Sequence, residues 1–506
     1  MCRTLLLLVF LPTGVFAQGI FKDSETYTAR LQLLAGGVLP FWMQARQYGT
    51  IPAQGPVAQA SFSIVADYQR PSKTRPYLRR KSWDWGYGVN LTTNAGATNQ
   101  VLLPELYLKS RWGALEVYIG KRKETFGLAD STLGVGPYSW SGNAMPVPKI
   151  QIGFPNWTPL LNDRLAFQAV WAHGWLDDRT AFVRRTYLHQ KTFYLRLGRP
   201  TATFQAFFGI NHQVQWGGYA PSLRTDPSPT QTEYFQPDGS LPKDASAFWS
   251  VVTAGRGKNA AYNPYDFRER VGNHVGSVDA ALQLQTNGHR FFFYRQQPYE
   301  MPSLLHLANW RDGLTGVSIT TDGTDTPVIR KLVVEVLYTK NQGRKGSPFG
   351  KGPVWEENYF NHRQYQQGWS YRGRTLGTPL LAPARTDTDE ELFTKDNLLS
   401  AVHLVLDGSL GRGYTFNGRF TYLQSDGTPE SLYPRAKQQV SLLLELRKPV
   451  WFLKGSELLA SGAADFGDVY PRSWGFSIGI RKSWGFADED IPEIARYRLK
   501  YRSHRW

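Results

Sequence analysis

A chain of 506 residues could hold several soluble domains, yet its 17 Trp, 26 Tyr, 28 Phe and 48 Gly accompany a mean hydropathy of only −0.40. Aromatic and turn-forming residues at low average hydropathy fit a transmembrane β-barrel, where lipid-facing residues alternate with polar lumen residues. The formal net charge of +17 points to acidic partners, and a single cysteine, Cys2, excludes disulfides, CxxC zinc sites and cysteine nucleophiles from the rest of the chain.

The N-terminus reads as a secretory signal. Arg3 precedes an apolar run, Leu5 to Leu11, and the small-residue site Val15-Phe16-Ala17 places cleavage after Ala17. Residues 18–506 are then a single exported unit, with no apolar run of about 18 residues that would make a membrane-crossing helix. Period-two alternation recurs instead. Tyr27, Ala29, Leu31 and Leu33 share one face of a first strand over Thr26 to Leu34. The same pattern is carried by Ala60, Phe62, Ile64, Ala66 and Tyr68, and by Trp85, Tyr87, Val89 and Leu91. It continues through Leu165 to Trp171, Ala202 to Ile210, Val278 to Leu284 and Leu332 to Tyr338. Phe416 to Tyr422, Val440 to Leu446 and Trp474 to Ile480 complete the set. Several runs reach the roughly 9–11 residues that cross a membrane on a tilt, longer than the usual soluble strand. The fold class expected is all-β, a transmembrane antiparallel barrel. Connections are uneven: some are short, as at Asn156 to Asp163, and two are long, near 211–276 and 341–396. Long loops of such barrels are extracellular, and these two are large enough to fold into the mouth and occlude the lumen. Tyr497, Leu499 and Tyr501 alternate as a closing strand would.

Several short motifs, spread over most of the chain, carry a family resemblance. They are Leu39-Pro40-Phe41-Trp42 with Gln47-Tyr48-Gly49-Thr50; Gly120-Lys121-Arg122-Lys123 leading to Ser141-Gly142-Asn143-Ala144-Met145-Pro146; Gly272-Asn273-His274; Asp312-Gly313-Leu314; and Asn358-Tyr359-Phe360-Asn361-His362 with Gly368-Trp369-Ser370-Tyr371 and Gly377-Thr378-Pro379-Leu380. In this order the chain resembles the Wzi-like capsule assembly family in its Bacteroidota form. The resemblance implies an outer-membrane barrel of about 18 strands, plugged rather than open, that holds capsular polysaccharide at the cell surface. Enterobacterial members carry a helical bundle near the N-terminus, for which the alternating Thr26 to Leu34 offers no counterpart.

The segment 355–374 is the best ligand candidate. It interleaves Trp355, Tyr359, Phe360, Tyr365, Trp369 and Tyr371 with Arg363, Arg372 and Arg374. Rings stack on the C–H faces of sugars, and arginine grips carboxylates bidentately. The competing reading makes these rings the private core of a loop folded into the barrel mouth. Arg75, Arg79, Arg80 and Lys81 could meet lipid phosphates, or form a solvated turn. Asp387, Asp389, Glu390 and Glu391 read as a solvated loop rather than a Ca²⁺ site. Asn273-His274 reads as a register element, and Gly134, Gly136 and Gly142, without a P-loop lysine, as a shaped loop. There is no HExxH and no GxSxG. The expected function is binding of acidic capsular or surface polysaccharide by a monomeric barrel among outer-membrane lipids, with no cofactor, metal, catalysis or nucleic acid. A transport channel is the alternative, and a lipid or glycan hydrolase a third reading.

Overall fold

The structure, a computed structural model, describes residues 22, 24–68, 82–177, 181–225, 231–259, 261–300, 308–321, 328–345, 357–381 and 394–485. The signal sequence, the cluster Arg75 to Lys81, Trp355, the acidic run Asp387 to Glu391 and the alternating Tyr497 to Tyr501 lie outside the described residues.

Strands form where apolar and polar residues alternate, because period two puts each set on one face. They are β1 (Glu25–Ala35), β2 (Val57–Ala66), β3 (Trp83–Gly96), β4 (Gln100–Trp112), β5 (Leu115–Lys121), β6 (Lys149–Leu160), β7 (Leu165–Leu176), β8 (Thr186–Leu197), β9 (Phe204–Trp216), β10 (Asn273–Thr286), β11 (His289–Tyr299), β12 (Gly313–Thr321) and β13 (Ile329–Tyr338). A two-residue hairpin, β14 (Ser370–Tyr371) and β15 (Arg374–Thr375), stands apart from them. The wall resumes with β16 (Leu399–Gly411), β17 (Tyr414–Gly427), β18 (Leu432–Pro449), β19 (Ser456–Gly467) and β20 (Ser473–Gly485). Apart from the hairpin, all pair antiparallel in one 18-stranded sheet, and β1 pairs with both β2 and β20. The sheet is therefore closed and has no free edge. The seam is β20 on β1.

The wall is apolar outside and polar inside. Phe62, Leu91, Trp171, Phe208, Leu282, Val334, Phe420, Leu444 and Phe476 are exposed, each on the face expected from the alternation. Gln59, Asn90, Gln213, Asp279, Glu335, His403 and Asp465 on the opposite face are buried. Among the described residues no helix is long and apolar enough to cross a membrane. The strands do so, and the chain is an outer-membrane β-barrel.

The two ends differ. At the end where β1 begins, the turns include 113–114, 161–164, 287–288 and 412–413. At the other end lie 36–56, 122–148, 217–272, 300–312 and 339–398. Short turns are periplasmic and long loops extracellular, so the second group opens at the cell surface. Short helices decorate it: α1 (Phe41–Gln44), α2 (Pro221–Thr225), α3 (Gln231–Tyr234), α4 (Ala245–Thr253) and α5 (Pro264–Arg268).

Two of these connections turn inward. Segment 122–148 descends along the lumen side of the wall. Leu128 N–H donates to Asp279 at 2.7 Å, Tyr138 N–H to Gln296 at 3.0 Å, and Lys331 pairs with Asp130 at 2.5 Å. Segment 357–381 lies against it: Tyr138 meets Phe360 at 5.0 Å, and Trp140 meets Trp369 at 6.4 Å between ring centroids. Together with wall residues such as Tyr194, Phe207 and Tyr294 they form the main apolar core of the molecule. The other long connection, 217–272, behaves differently. Its α4 packs on the outer face of β9, against Val214 and Trp216, rather than entering the mouth.

Candidate functional site

The polar lumen wall cannot itself supply an apolar core, so the inner segments build their own. Trp369 is 1 % exposed, and its indole N–H donates to the Ser139 carbonyl at 2.8 Å. Tyr359 is fully buried, with its hydroxyl donating to Asp312 at 2.8 Å. Tyr365 packs with Val183, Ala220 and Leu241, and its hydroxyl donates to the Gly217 carbonyl at 3.3 Å. Tyr371 is also buried. Backbone approach is close here: a Cβ on Gly377 would sit 2.3 Å from the Tyr138 carbonyl oxygen, and one on Gly134 2.4 Å from Glu335 Oε1. Gly134 and Gly377 are thus packing requirements. Five of the six aromatic rings expected at the ligand from the sequence, Tyr359, Phe360, Tyr365, Trp369 and Tyr371, are buried in these inner clusters.

The buried ionisable groups are partnered or neutral. Burial raises the Asp130 carboxyl, but the Lys331 ammonium more than offsets this and holds it well below the usual carboxylate range. Burial pushes Asp312 up to about 6 against the N–H groups of Asn341 and Gln342 and the Tyr359 hydroxyl. Burial likewise raises Glu300, which accepts from Tyr138. Such carboxyls fasten loops. Asn273 begins β10, and His274 meets His212 at 2.9 Å between ring nitrogens, a cross-strand pair on the outer face. Among the described residues no three His, Cys, Asp or Glu converge as metal ligands.

What the inner core presents outward is the hairpin β14–β15. Arg372 and Gly373 both have positive φ, 53° and 72°, the geometry of a two-residue type I′ turn. The turn leaves Arg372 exposed, while Arg374 donates to the Ile51 carbonyl at 2.6 Å and to Gln44 at 3.2 Å. These two arginines line an open cleft of about 780 Å³ at the extracellular end. Its other walls come from segment 36–56, from Lys395 and Asp396, from the start of β18 and from the β19–β20 turn.

The cleft carries its own aromatics. Phe41 and Tyr470 stack at 4.9 Å with an interplanar angle of 8°, both half-buried. Phe41 is fixed through its N–H to Asp465 at 2.7 Å, and Tyr470 through its N–H to Gln439 at 3.0 Å. Tyr433 lies under the Lys437 ammonium, 3.9 Å from its ring centroid. Five basic residues line the cleft, Arg372, Arg374, Lys395, Lys437 and Arg472, against the acidic Asp396, Asp465 and Asp468. A basic surface with partly exposed rings suits an acidic sugar chain. Of the ligand candidates expected from the sequence, Arg372 and Arg374 line this cleft; Phe41, Tyr433 and Tyr470, which come from three distant segments, were not among them. The only local signal was Leu39-Pro40-Phe41-Trp42.

The chain matches no family model and none of the curated proteins. Among solved structures it is similar to Wzi of Escherichia coli, an outer membrane protein involved in group 1 capsule assembly and a carbohydrate-binding β-barrel. That match has 13 % identity and a TM-score of 0.56, covering 95 % of this chain and 88 % of that one. Weaker matches are OccD3 (OpdP) of Pseudomonas aeruginosa, with 9 % identity, TM-score 0.44, and 91 % of each chain covered, and a BenF-like porin of Pseudomonas fluorescens, with 9 % identity, TM-score 0.41, and 91 % and 98 % covered. The first likeness is one of fold, and with the closed 18-stranded wall it marks an outer-membrane barrel; the weaker two carry no argument about function.

Proposed function

We propose that this outer-membrane barrel binds acidic surface polysaccharide, capsular in character, and helps hold the capsule at the cell surface. The observation that carries the reading is the Phe41–Tyr470 stack beside Arg372 and Lys437 in a cleft at the extracellular mouth. In it, Arg372 and Arg374 contact the polymer, whereas Tyr359, Tyr365, Trp369 and Tyr371 hold the hairpin that presents them. That Wzi is a carbohydrate-binding barrel of the same fold supports it. The reading includes a lumen occluded by segments 122–148 and 357–381, so the barrel acts by binding, not by conduction or catalysis. The test is titration calorimetry with a polygalacturonate oligomer. Tyr470→Ala should weaken binding about tenfold, the loss of one sugar–ring contact of about 1.4 kcal/mol, with its salt dependence unchanged. Arg372→Gln with Lys437→Gln should weaken binding mainly at low salt, because exposed charges are screened within about 10 Å at 0.1 M. Unchanged affinity in both variants, with the heat-dependent gel shift of a folded barrel retained, rules the cleft out.

A further inference from the structure

Connection 217–272 does something that the cleft does not use. Outward-pointing residues of β8, β9 and β10 are exposed in their periplasmic and middle parts, as Phe193, Phe208, Ile210 and Val278 are. Near the extracellular end the same face becomes polar, with Lys191, His212 and His274, and it is covered. Helix α4 lies there: Ala247 and Val251 pack with Val214 and Trp216, Phe248 stands 5.7 Å from His173, and the Lys191 ammonium donates to the Val252 carbonyl. Lys191 is two residues above Phe193, the first exposed apolar residue of its strand, which is about 7 Å along the wall. The helix therefore rests on the upper rim of the lipid-facing band.

The collar so formed continues that band outward. Trp249 on α4 is 63 % exposed, Phe267 on α5 47 %, and Trp310 of the neighbouring 300–312 connection 45 %. Basic groups surround them. Arg256, Lys258 and Arg311 are exposed, and the Arg311 guanidinium lies 5.6 Å over the Trp310 ring. Of the acidic residues in the segment, Asp244 caps α4 through the Ala247 N–H, Asp266 is buried and bound to Gln364, and Glu233 pairs with Arg268 at 3.7 Å, while Asp238 and Glu269 are exposed. Apart from that pair and that cap, the exposed basic residues Lys243, Arg256, Lys258 and Arg311 outnumber the exposed acids Asp238 and Glu269. Aromatic rings settle at headgroup depth, and clustered cations beside them attract anionic headgroups.

We propose that this collar is a binding site for a phosphorylated lipid of the outer leaflet, with Trp249 set at headgroup depth and Arg256, Lys258 and Arg311 holding its phosphates. It is one-sided, spanning β8 to β12, and it is separate from the polysaccharide cleft. The test has two arms, both in the full chain in detergent micelles or vesicles. In the first, Trp249→Cys in a Cys2→Ser background carries an environment-sensitive fluorophore. In phospholipid vesicles it should emit at shorter wavelength and be quenched by lipids brominated near the headgroup. Emission as in water, without quenching, overturns the placement. In the second, native mass spectrometry counts retained bisphosphorylated lipid A against its dephosphorylated counterpart. The wild type should prefer the phosphorylated form, and Arg256→Gln, Lys258→Gln and Arg311→Gln together should lower its retention about tenfold. Equal retention of the two lipids, or no loss in the triple variant, refutes the phosphate site. Tyr470→Ala, which tests the cleft, should leave lipid retention unchanged, and its loss there would equally count against a separate site.

Discussion

Replacing Trp369 with alanine should release the inner segments without opening the wall. At 1 % exposure, the ring withdraws nearly all of its roughly 200 Å² from water, worth about 5 kcal/mol at about 25 cal/mol per Å². Measured Trp-to-Ala substitutions in cores cost about 3–5 kcal/mol. The Ser139 carbonyl also loses its donor, so about 4 kcal/mol is a fair local figure. None of it falls on the strand ladders, because neither Trp369 nor Ser139 belongs to the barrel wall. The opening equilibrium of segments 126–147 and 357–381 should then rise about a thousandfold, at 1.4 kcal/mol per decade. Hydrogen exchange should show those amides losing protection while wall amides keep theirs, and planar-bilayer recordings should pass from quiet traces to intermittent steps. Trp369→Phe, which keeps most of the apolar contact, should lose only about 1–2 kcal/mol. A folded Trp369→Ala barrel with wild-type protection in both segments would falsify the claim that this ring fastens them.

Two further outcomes follow from the buried charges. Asp312, raised to about 6 by burial from an unfolded value of about 3.9, contributes stability that is fully present below about pH 4 and lost as pH rises through about 6. Amides of 357–361, corrected for intrinsic rates, should therefore exchange faster at pH 8 than at pH 5, and Asp312→Asn should flatten the difference; a pH-independent wild type would contradict the assignment. Lys331→Met strands the buried Asp130 carboxylate, a loss of about 3–5 kcal/mol visible as reduced protection of 128–135. Adding Asp130→Asn should restore most of it, and equal damage in single and double variants would show that the ion pair is not the cause.

The sequence made the membrane-facing half of the wall plain, because lipid demands apolar residues at every second position. Phe62, Leu91, Phe208, Leu282, Val334, Leu444 and Phe476 all fell on the expected face, and Thr26 to Leu34 is indeed within a strand, β1. The upper parts of β9 and β10 were less visible. His212 and His274 break the apolar alternation there and are buried rather than lipid-facing, so the 211–276 connection is really 217–272. Inner segment 122–148 has no periodicity to read, since it is held by backbone contacts and by polar wall residues scattered over β9 to β16. The aromatics of 355–374 were visible but ambiguous: a ring that stacks on sugar and a ring that fills a plug have the same composition, and only burial separates them. The cleft depends on rings brought together by barrel closure, which no local pattern encodes.

That closure also orders assembly. Thr28 and Ser483, 455 residues apart, meet hydroxyl to hydroxyl at 3.1 Å across the seam, while residues from 122–148 and 357–381 already pack against strands on the far side. Joining such distant positions is slow in an unaided chain. Either the inner segments are in place before the first and last strands zip together, or they must thread through the finished mouth. In the first case the apolar inner cluster serves as a mandrel around which the sheet is wrapped, and core variants such as Trp369→Ala would delay the appearance of the heat-resistant barrel as well as loosen its interior.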